Sequence, residues 1–392
     1  MNRMIGSRAM VVGFIPLLDC APLVVALEKG FAAAEGIHLT LVRESSWANI
    51  RDRVVVGHFD AAHMLGPMTI ASTLGIGHLK MPTIAPMSLG LGGNAITVSN
   101  SLWDAMMRHG ARADGDPGAQ GAALQLAVRA RERDKKPPLT FAMVYPFSAH
   151  NYELRYWLAA CGVDPDHDVR LIVIPPPLLV DAMREGQVDG FCVGEPWNSL
   201  AVAVGAGSIV IPTTAIWRLS PEKVLGCRLE WAQRHPDTLA ALIRALYQAA
   251  QWCEAPENHA ELAAVLAQLK YVGAPISILR RGISNTLQLQ PEALPASIPD
   301  FYLSARHAAT FPWTSHALWF YSQMIRWGQA RFSATDLAQV RATYRPDLYR
   351  LALSSLGVAM PALDSKIESA SSGFFDERVF DPDAFEAYLG KP

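Results

Sequence analysis

The 392-residue sequence predicts an α/β protein of two similar lobes, followed by a mainly helical last third. In the first third, segments in which apolar and polar residues alternate are separated by segments with helical spacing, which is typical of a parallel sheet covered by helices. A second observation is a recurring pattern: residues 57–67 and 186–196 both carry Gly, Asp and Pro at their first, fourth and eleventh positions. Because each copy closes a helix–Gly–strand–loop–helix unit, the pattern indicates two related lobes.

The first lobe begins with three alternating strand and helix units. The predicted elements are a strand at Met10–Ile15, a helix at Ala21–Ala34, a strand at Ile37–Arg43, a helix at Trp47–Val56 capped by Ser46, a short strand at Asp60–Met64 and a helix that begins at Pro67. The second lobe, residues 98–214, repeats this order. Its predicted elements are strands at Leu139–Val144, Val169–Ile174 and Val188–Val193, helices at His150–Ala160 and Pro177–Glu185, and an exposed helix at Gly121–Glu132.

The last third carries apolar residues at helical spacing, most clearly at Pro236–Glu254, Ala260–Leu269 and Ala317–Trp327. We expect these helices to pack back on the first lobe, which then comprises residues 1–97 and 215–392. Two chain crossings, near residues 96–100 and 213–220, form a hinge in this arrangement.

Composition excludes several classes of protein. Hydrophobic residues make up 51% of the chain and charged residues 18%, which is unlike a disordered protein. The net charge of −2 gives no chain-wide basic excess for phosphate binding, so no direct nucleic-acid contact is predicted. No apolar run reaches the length of about 18 residues that a membrane-spanning helix needs. The five Cys residues are scattered without a C-x-x-C pair, which argues against zinc or a disulfide scaffold and fits a reducing compartment.

The first 22 residues allow two interpretations. Two Arg residues precede an apolar stretch, and Leu17–Cys20 loosely resembles a lipoprotein cleavage box, so an export signal has to be weighed. Against it, Asp19 stands where a small residue is needed, and Gly13 and Pro16 interrupt the stretch. The alternative is that this stretch holds the first strand of the fold. We favour the strand and therefore predict a cytoplasmic protein.

The loops after the predicted strands indicate binding without chemistry. Ligands of open α/β sheets bind beyond the carboxyl ends of the strands, and the helix N-termini there suit a small anion. Nucleophile-elbow, P-loop and metalloprotease patterns are absent, and no His is tied by any pattern to the adjacent Asp19 and Cys20. We expect Asp60 and Asp189 to bond to backbone. The sequence predicts neither an enzyme nor a metal or cofactor.

Several segments resemble the nitrate/bicarbonate solute-binding proteins of ABC transporters. They are Gly13–Leu23, Ser46–Asp52, Asp60–Met64, Leu154–Ala160, Gly190–Asn198, Pro221–Lys223, Gln251–Cys253, Leu318–Phe320 and Arg326–Gly328. The resemblance covers nearly the whole chain and implies a type II periplasmic-binding-protein fold, in which two α/β lobes enclose a ligand cleft. Transport members carry a signal or lipoprotein segment before the first strand, whereas about nine residues precede it here. The family also has a cytoplasmic branch, the nitrate/nitrite sensors of the NasS type. These sensors hold an RNA-binding antiterminator response regulator of the NasT type and release it when ligand binds.

The resemblance also implies a set of anion-binding residues, which lie on loops of both lobes. They are Trp47, Gly90, Asn94, His150, Pro176, Val193, Gly194 and Lys223. At Val193 and Gly194 the backbone N–H groups are expected to bind. Transport members often have Gln where this chain has the shorter Asn94. Without the resemblance, Trp47 reads equally as a core residue, His150 as structural and Lys223 as a surface cation.

Lys223 decides between the ligands that the resemblance offers. Bicarbonate members use calcium and lack a cation at this position, whereas a buried ammonium can be balanced by a monovalent anion without metal. Nitrate, and with it nitrite, is therefore favoured over bicarbonate. Glu195 would repel an anion, so we expect it to point away or to meet an Arg. The alternative to a sensor is the extracytoplasmic binding component of an ABC importer, which a longer genomic start encoding a signal would favour.

Overall fold

The structure is a computed structural model that describes residues 8–77, 79–368 and 373–390. Its strands, in chain order, are β1 (Arg8–Phe14), β2 (Ile37–Arg43), β3 (Ala61–Leu65), β4 (Thr83–Ser88), β5 (Leu91–Gly92), β6 (Asn94–Ser99), β7 (Leu139–Met143), β8 (Val169–Val173), β9 (Gly190–Gly194), β10 (Gly207–Pro212), β11 (Lys223–Arg228), β12 (Thr286–Leu287), β13 (Ala296–Ser297) and β14 (Tyr302–Leu303).

The α-helices follow the same numbering along the chain. They are α1 (Ala21–Glu28), α2 (Phe31–Ala34), α3 (Trp47–Val55), α4 (Gly66–Leu74), α5 (Asn100–Arg108), α6 (Pro117–Arg133), α7 (Ala149–Ala160), α8 (Leu179–Arg184), α9 (Trp197–Ala203), α10 (Thr213–Ile216), α11 (Leu229–Arg234), α12 (Pro236–Glu254), α13 (His259–Leu266), α14 (Ile276–Ile283), α15 (Thr314–Arg326), α16 (Ala334–Thr343), α17 (Pro346–Leu353) and α18 (Phe385–Leu389).

Two five-stranded sheets form the centres of the two predicted lobes. The first has the order β2-β1-β3-β11-β4 and the second the order β10-β6-β9-β7-β8. Both sheets are mixed, so the expectation of parallel sheets is wrong in part. β11 runs antiparallel to β3 and β4, and β6 runs antiparallel to β9 and β10. β6 and β11 are the strands by which the chain enters each lobe from the other one. Each of them runs antiparallel to its neighbours in the sheet.

The two copies of the recurring sequence pattern have the same local structure. Asp60 Oδ2 accepts a hydrogen bond from Val11 N at 2.8 Å, and Asp189 Oδ2 accepts one from Thr140 N at 2.8 Å. In return the backbone N–H groups of the two aspartates donate to the carbonyls of the same two partners. The prediction that these aspartates bond to backbone is confirmed, and each one ties its strand to the neighbouring strand of its sheet.

The chain enters the second sheet earlier than the sequence suggested. β6 begins at Asn94, so the expected boundary between residues 97 and 98 lies within a strand of the second sheet. The return crossing runs from the end of β10 at Pro212 to the start of β11 at Lys223. Both crossings therefore lie directly beside residues that the resemblance places in the ligand site.

The C-terminal segment contacts both lobes rather than the first alone. α12 packs on α1, α2 and α17, as expected, but α15 packs on α4 of the first lobe and also on α7 of the second. Phe374 joins the contact: its ring centroid lies 4.6 Å from that of Trp217, 5.6 Å from that of Trp319 and 5.1 Å from that of Tyr156 in α7. This aromatic cluster links the two lobes and a chain crossing.

Two predicted helices differ in detail. The predicted helix Ala21–Ala34 is divided into α1 and α2 at Gly30, whose φ of +77° leaves the helical region. The helix predicted as exposed at Gly121–Glu132 is the longer α6, and one of its faces is buried. At Gly121 a Cβ atom would lie only 1.9 Å from Cys161 Sγ, so this glycine permits close packing against the end of α7.

The hydrophobic core is continuous between the lobes. One cluster of buried side chains includes Trp47 and Met64 from the first lobe together with Phe141 and Leu154 from the second. Of the helices within the described ranges, none has both the length and the apolar character that a bilayer crossing requires.

Candidate ligand site between the lobes

The predicted site residues meet at the edge where both sheets end. Trp47 opens α3, Asn94 opens β6, His150 lies in the first turn of α7, and Lys223 opens β11. All four are buried, with at most 1% of their surface exposed. Local sequence signals place Trp47 and His150 at the starts of their helices. Ser46 and Ser148 cap α3 and α7 by accepting hydrogen bonds from backbone N–H groups.

Lys223 is not a free cation in this structure. Its Nζ lies 2.7 Å from Asp19 Oδ2 and also contacts Glu222 Oε2. Burial alone would lower the pKa of the ammonium, but the charges of Asp19 and Glu222 raise it above its ordinary value. Lys223 therefore stays charged, and two carboxylates occupy the position that the sequence assigned to the anion alone.

Asp19 and His63 form a pair that sequence reasoning missed. His63 Nε2 lies 3.0 Å from Asp19 Oδ1, and Ile15 N donates to His63 Nδ1 at 3.5 Å. Burial alone would raise the pKa of Asp19, but Lys223 and His63 hold it well below its usual range. No sequence pattern ties a His to Asp19, and the fold brings His63 to it. The two residues are 44 positions apart and meet only because β1 pairs with β3.

The side-chain amide of Asn94 donates hydrogen bonds to two carboxyl groups. Its Nδ2 donates to Glu222 Oε1 at 2.9 Å and to Glu153 Oε2 at 3.4 Å. Burial and the neighbouring Glu222 raise the pKa of Glu153 to about 8, so this carboxyl is protonated at neutral pH. The predicted amide contact with an anion thus competes with two carboxyls, neither of which the sequence had singled out.

Two buried hydrogen-bond donors, on Trp47 and His150, border the charged cluster. This cluster is formed by Asp19, Asn94, Glu153, Glu222 and Lys223. Among the residues that the structure describes, Trp47 Nε1 has no hydrogen-bond partner, and neither ring nitrogen of His150 is hydrogen-bonded, although its Nδ1 lies 3.4 Å from Glu222 Oε1. Burial, together with the Lys223 charge, lowers the pKa of His150 well below its ordinary value, so the ring is neutral and offers one N–H. Buried donors are normally satisfied, so these two are available to a ligand that brings acceptor atoms.

Two of the predicted glycines stand where a side chain would not fit freely. A Cβ atom on Gly194 would lie 3.2 Å from Asn94 Oδ1 and 3.7 Å from Asp19 Oδ2, so a side chain there would enter the cluster. Gly90 has a φ of +131°, and a Cβ atom there would lie 2.8 Å from the Leu303 carbonyl oxygen. The glycine at position 90 allows the loop before β6 to approach β14 closely.

The remaining predicted residues, Val193 and Pro176, belong to the second lobe. Val193 is buried in β9, and its carbonyl accepts a hydrogen bond from Asn198 Nδ2 at 2.7 Å. Pro176 is buried in the 3-10 turn that follows β8. Anion binding by the backbone N–H groups of Val193 and Gly194 stays a prediction.

Of the two expectations for Glu195, to point away from the anion or to meet an Arg, the Arg partner is wrong. Its Oε1 accepts a hydrogen bond from Ser199 N in the first turn of α9, and burial raises its pKa to about 7. A carboxyl that caps a helix N-terminus in this way is held in place without a cation.

Direct hydrogen bonds hold the lobes closed over the cluster. Leu18 N donates to the Glu195 carbonyl at 2.7 Å, Trp197 Nε1 donates to the Pro16 carbonyl at 3.1 Å, and Arg51 Nη1 donates to Tyr145 Oη at 2.8 Å. Because the cluster residues are buried, a ligand reaches them only when the lobes separate. In the described ranges, no three His, Cys, Asp or Glu side chains are grouped so that they could hold a metal ion.

Comparison with known proteins identifies the family. The family model described as the NMT1-like family matches residues 5–267, well over half of the chain. The chain belongs to the NMT1-like family. It is 34% identical over 97% of its length to the nitrate/nitrite binding protein NrtA of Synechococcus elongatus, and it covers 85% of that protein. The bicarbonate-binding protein CmpA of Synechococcus sp. is 30% identical, and the chain covers 86% of it.

Relatives of this NMT1-like chain also include a larger transport protein. The nitrate import ATP-binding protein NrtC of Synechocystis sp. is 36% identical over 96% of the chain, and the chain spans about half of NrtC, 54% of its length. Among solved structures, the periplasmic nitrate-binding protein NrtA from Synechocystis PCC 6803 is 31% identical, with a TM-score of 0.88 and 97% of each chain covered. The type II periplasmic-binding-protein fold that the resemblance implied is confirmed. The relatives named are binding and transport proteins.

Proposed function

We propose that this NMT1-like protein binds nitrate or nitrite in the closed cleft between its lobes. The observation that carries the proposal is the buried Lys223 ammonium beside the unpartnered Nε1 of Trp47 and the neutral ring of His150. A planar monoanion brings acceptor oxygens to these donors and no donors of its own. Charge-assisted hydrogen bonds of this kind contribute roughly 1.5–3 kcal/mol each.

Calorimetric titration with nitrate, nitrite, bicarbonate and sulfate tests this proposal. We expect nitrate and nitrite to bind with a stoichiometry of about one, because Lys223 is the one cationic side chain in the buried group that it forms with Asp19, Asn94, Glu153 and Glu222. Sulfate should bind far more weakly, because a dianion adds two negative charges beside Asp19 and Glu222. Tight binding of bicarbonate with no response to nitrate would contradict the proposal.

For the biological role we propose a cytoplasmic sensor of the NasS type that controls an RNA-binding antiterminator response regulator. Support comes from the cysteines: all five are free, and four of them are buried, which suits a reducing compartment. Ligand-dependent closure would change the surface that spans both lobes, and the partner would read that surface. Nucleic acid is then contacted by the partner and not by this chain.

The alternative role is the binding component of an ABC importer, which similarity to NrtA and NrtC favours. Co-purification with a response-regulator antiterminator, with and without nitrate, separates the two roles. A complex that nitrate dissociates supports the sensor. Absence of a complex in both conditions, together with nitrate-dependent stimulation of a transporter ATPase, would support the importer and contradict the sensor.

A further inference from the structure

Carboxyl groups outnumber cationic side chains around Lys223. The ammonium contacts both Asp19 and Glu222, and Asn94 links Glu222 to a third carboxyl, Glu153. All of these side chains are at most 5% exposed. With Asp19 already balancing the lysine, an ionised Glu222 would leave the ligand-free cluster with an excess negative charge.

An anion that enters this cluster adds a further negative charge where water cannot screen it. Burying unbalanced charge is unfavourable, and such a site normally neutralises one of its groups instead. Glu222 is the group that competes with the anion, because its Oε2 contacts the Lys223 ammonium that the anion would also contact. Removing the charge of Glu222 leaves Lys223 with one carboxylate, so that binding one anion together with one proton leaves the net charge of the cluster unchanged.

We propose that Glu222 is a proton-binding site that is filled together with the anion, so that the cleft takes up nitrate or nitrite as the ion plus one proton. This inference rests on the function proposed above and deepens it. The proton comes from solvent and leaves when the anion leaves. No covalent bond to the anion is made.

Glu153 already holds a proton at neutral pH and the pKa of Asp19 is lowered, which leaves Glu222 and His150 as the neighbouring groups that can take up a proton. The titratable and charged groups that face Glu222 are Lys223 from β11, Asp19 from the turn after β1, His150 and Glu153 from α7, Cys192 from β9 and Tyr344 after α16. Lys223 is the one cation among these groups. His150 stays neutral because burial lowers its pKa, whereas burial raises the pKa of Glu222. Protonated Glu222 can also donate towards His150 Nδ1, which lies 3.4 Å from its Oε1.

Calorimetry on the wild-type chain tests the inference directly. Nitrate is titrated from about pH 6 to about pH 9 in two nitrate-free buffers with different ionisation enthalpies. We expect the buffer dependence of the heat to report uptake of about one proton per nitrate, and the Kd to weaken about tenfold per pH unit above the pKa of Glu222. A Kd independent of pH, with heats that do not depend on the buffer, would overturn the inference.

The substitution Glu222→Gln tests whether the chain can bind the anion without taking up a proton. The amide keeps the shape of the side chain and carries no charge, so the variant should bind nitrate without proton uptake and with a flat pH profile. Glu261→Gln, which removes a carboxylate paired with Lys29 on the surface, should keep the wild-type profile. Retention of proton uptake in Glu222→Gln contradicts the assignment. If the wild-type chain binds nitrate at no pH, the proposed function itself is wrong.

Discussion

At the scale of single residues, the site is organised around one buried ammonium. Lys223 has no exposed surface, and Asp19 balances its charge at 2.7 Å. A buried ammonium without such a partner would be strongly destabilising. Asp19 therefore balances the charge of Lys223 in the ligand-free protein, and the anion contributes to that balance in the bound protein. His63 holds Asp19 from the other side, and the Trp47 ring lies 5.8 Å from the ammonium. The donors left over, on Trp47 and His150, are those that an anion can use.

Replacing Trp47 by Phe tests the assignment of its unused N–H. The ring keeps its packing against His63, but the donor is lost. We expect nitrate affinity to fall by about tenfold or more, because a hydrogen bond to a charged group is removed. Calorimetry measures the change. Trp313→Phe is the matched control, since Trp313 Nε1 is also buried with no partner in the part of the chain that the structure describes, but lies outside the cluster. Equal loss of affinity in both variants would contradict the assignment.

The raised pKa of Glu153 predicts how stability depends on pH. Its pKa of about 8 in the folded chain compares with about 4.3 in an unfolded one. The folded state then holds a proton that the unfolded state has released, so this stabilising contribution is complete below about pH 4 and is lost as the pH rises towards about 8. Glu153→Gln should remove a fall of a few kcal/mol in unfolding free energy over that interval. Denaturant unfolding at several pH values measures it, and parallel profiles for wild type and variant would disprove the assignment.

At the scale of elements, the site is built where strands end and helices begin. β3, β6, β9 and β11 bring their ends together, and Trp47 and His150 lie in the first turns of α3 and α7. β6 and β9 also set the width of the site, because Asn94 pairs with Gly194 across the two strands. Such an arrangement places the two chain crossings beside the ligand, so a change in ligand contacts acts directly on the hinge.

Gly194→Ala tests whether this strand end borders the ligand. The added Cβ would lie 3.2 Å from Asn94 Oδ1 and 3.4 Å from Leu17 Cδ2, which is tight but does not collide with backbone. We expect nitrate binding to weaken about tenfold while the melting temperature changes little. Gly118→Ala, in α6, meets only Asp116 Oδ1 at 3.5 Å and should leave binding unchanged. Wild-type affinity in Gly194→Ala would place the ligand elsewhere.

Periodicity, caps and turn residues predicted most elements because these signals are local. β2 and α12 have the bounds that the sequence predicted, and Ser46 caps α3 as expected. Strand direction is not a local property, so the antiparallel β6 and β11 were not predicted. The same limit applies within the site. The resemblance brought the predicted ligand residues together, whereas Asp19, His63 and Glu153 emerged only from packing between distant segments.

At the scale of the whole molecule, the C-terminal segment is a connection between the lobes. The aromatic cluster of Tyr156, Trp217, Trp319 and Phe374 joins α7 of the second lobe to α15 and to the return crossing. Tyr156 Oη also donates to both carboxylate oxygens of Asp376, at 2.8 and 2.9 Å. Opening of the cleft must move or bend this connection, so the segment contributes to the balance between open and closed forms.

Phe374→Ala should weaken this connection. Loss of the buried ring costs about 3–5 kcal/mol of unfolding free energy, by analogy with other large-to-small core changes. We also expect a lower nitrate affinity, because the closed form becomes less favoured in the free protein. Denaturant unfolding and calorimetry measure the two effects. Phe332→Ala, at a side chain that is 37% exposed, is the control. A destabilised Phe374→Ala variant that binds nitrate as tightly as wild type would show that the cluster does not influence closure.

If the closed cleft binds a monovalent oxyanion through the Lys223 ammonium, loss of this ammonium must weaken nitrate binding. Nitrate titration of the wild-type chain and of Lys223→Met, with Lys29→Met as a surface control, tests it most directly. We predict that wild type and Lys29→Met bind about one nitrate, and that Lys223→Met, shown to be folded by its melting transition, binds about tenfold to about a hundredfold more weakly. Unchanged affinity in Lys223→Met, or no nitrate binding by the wild-type chain, would contradict the account.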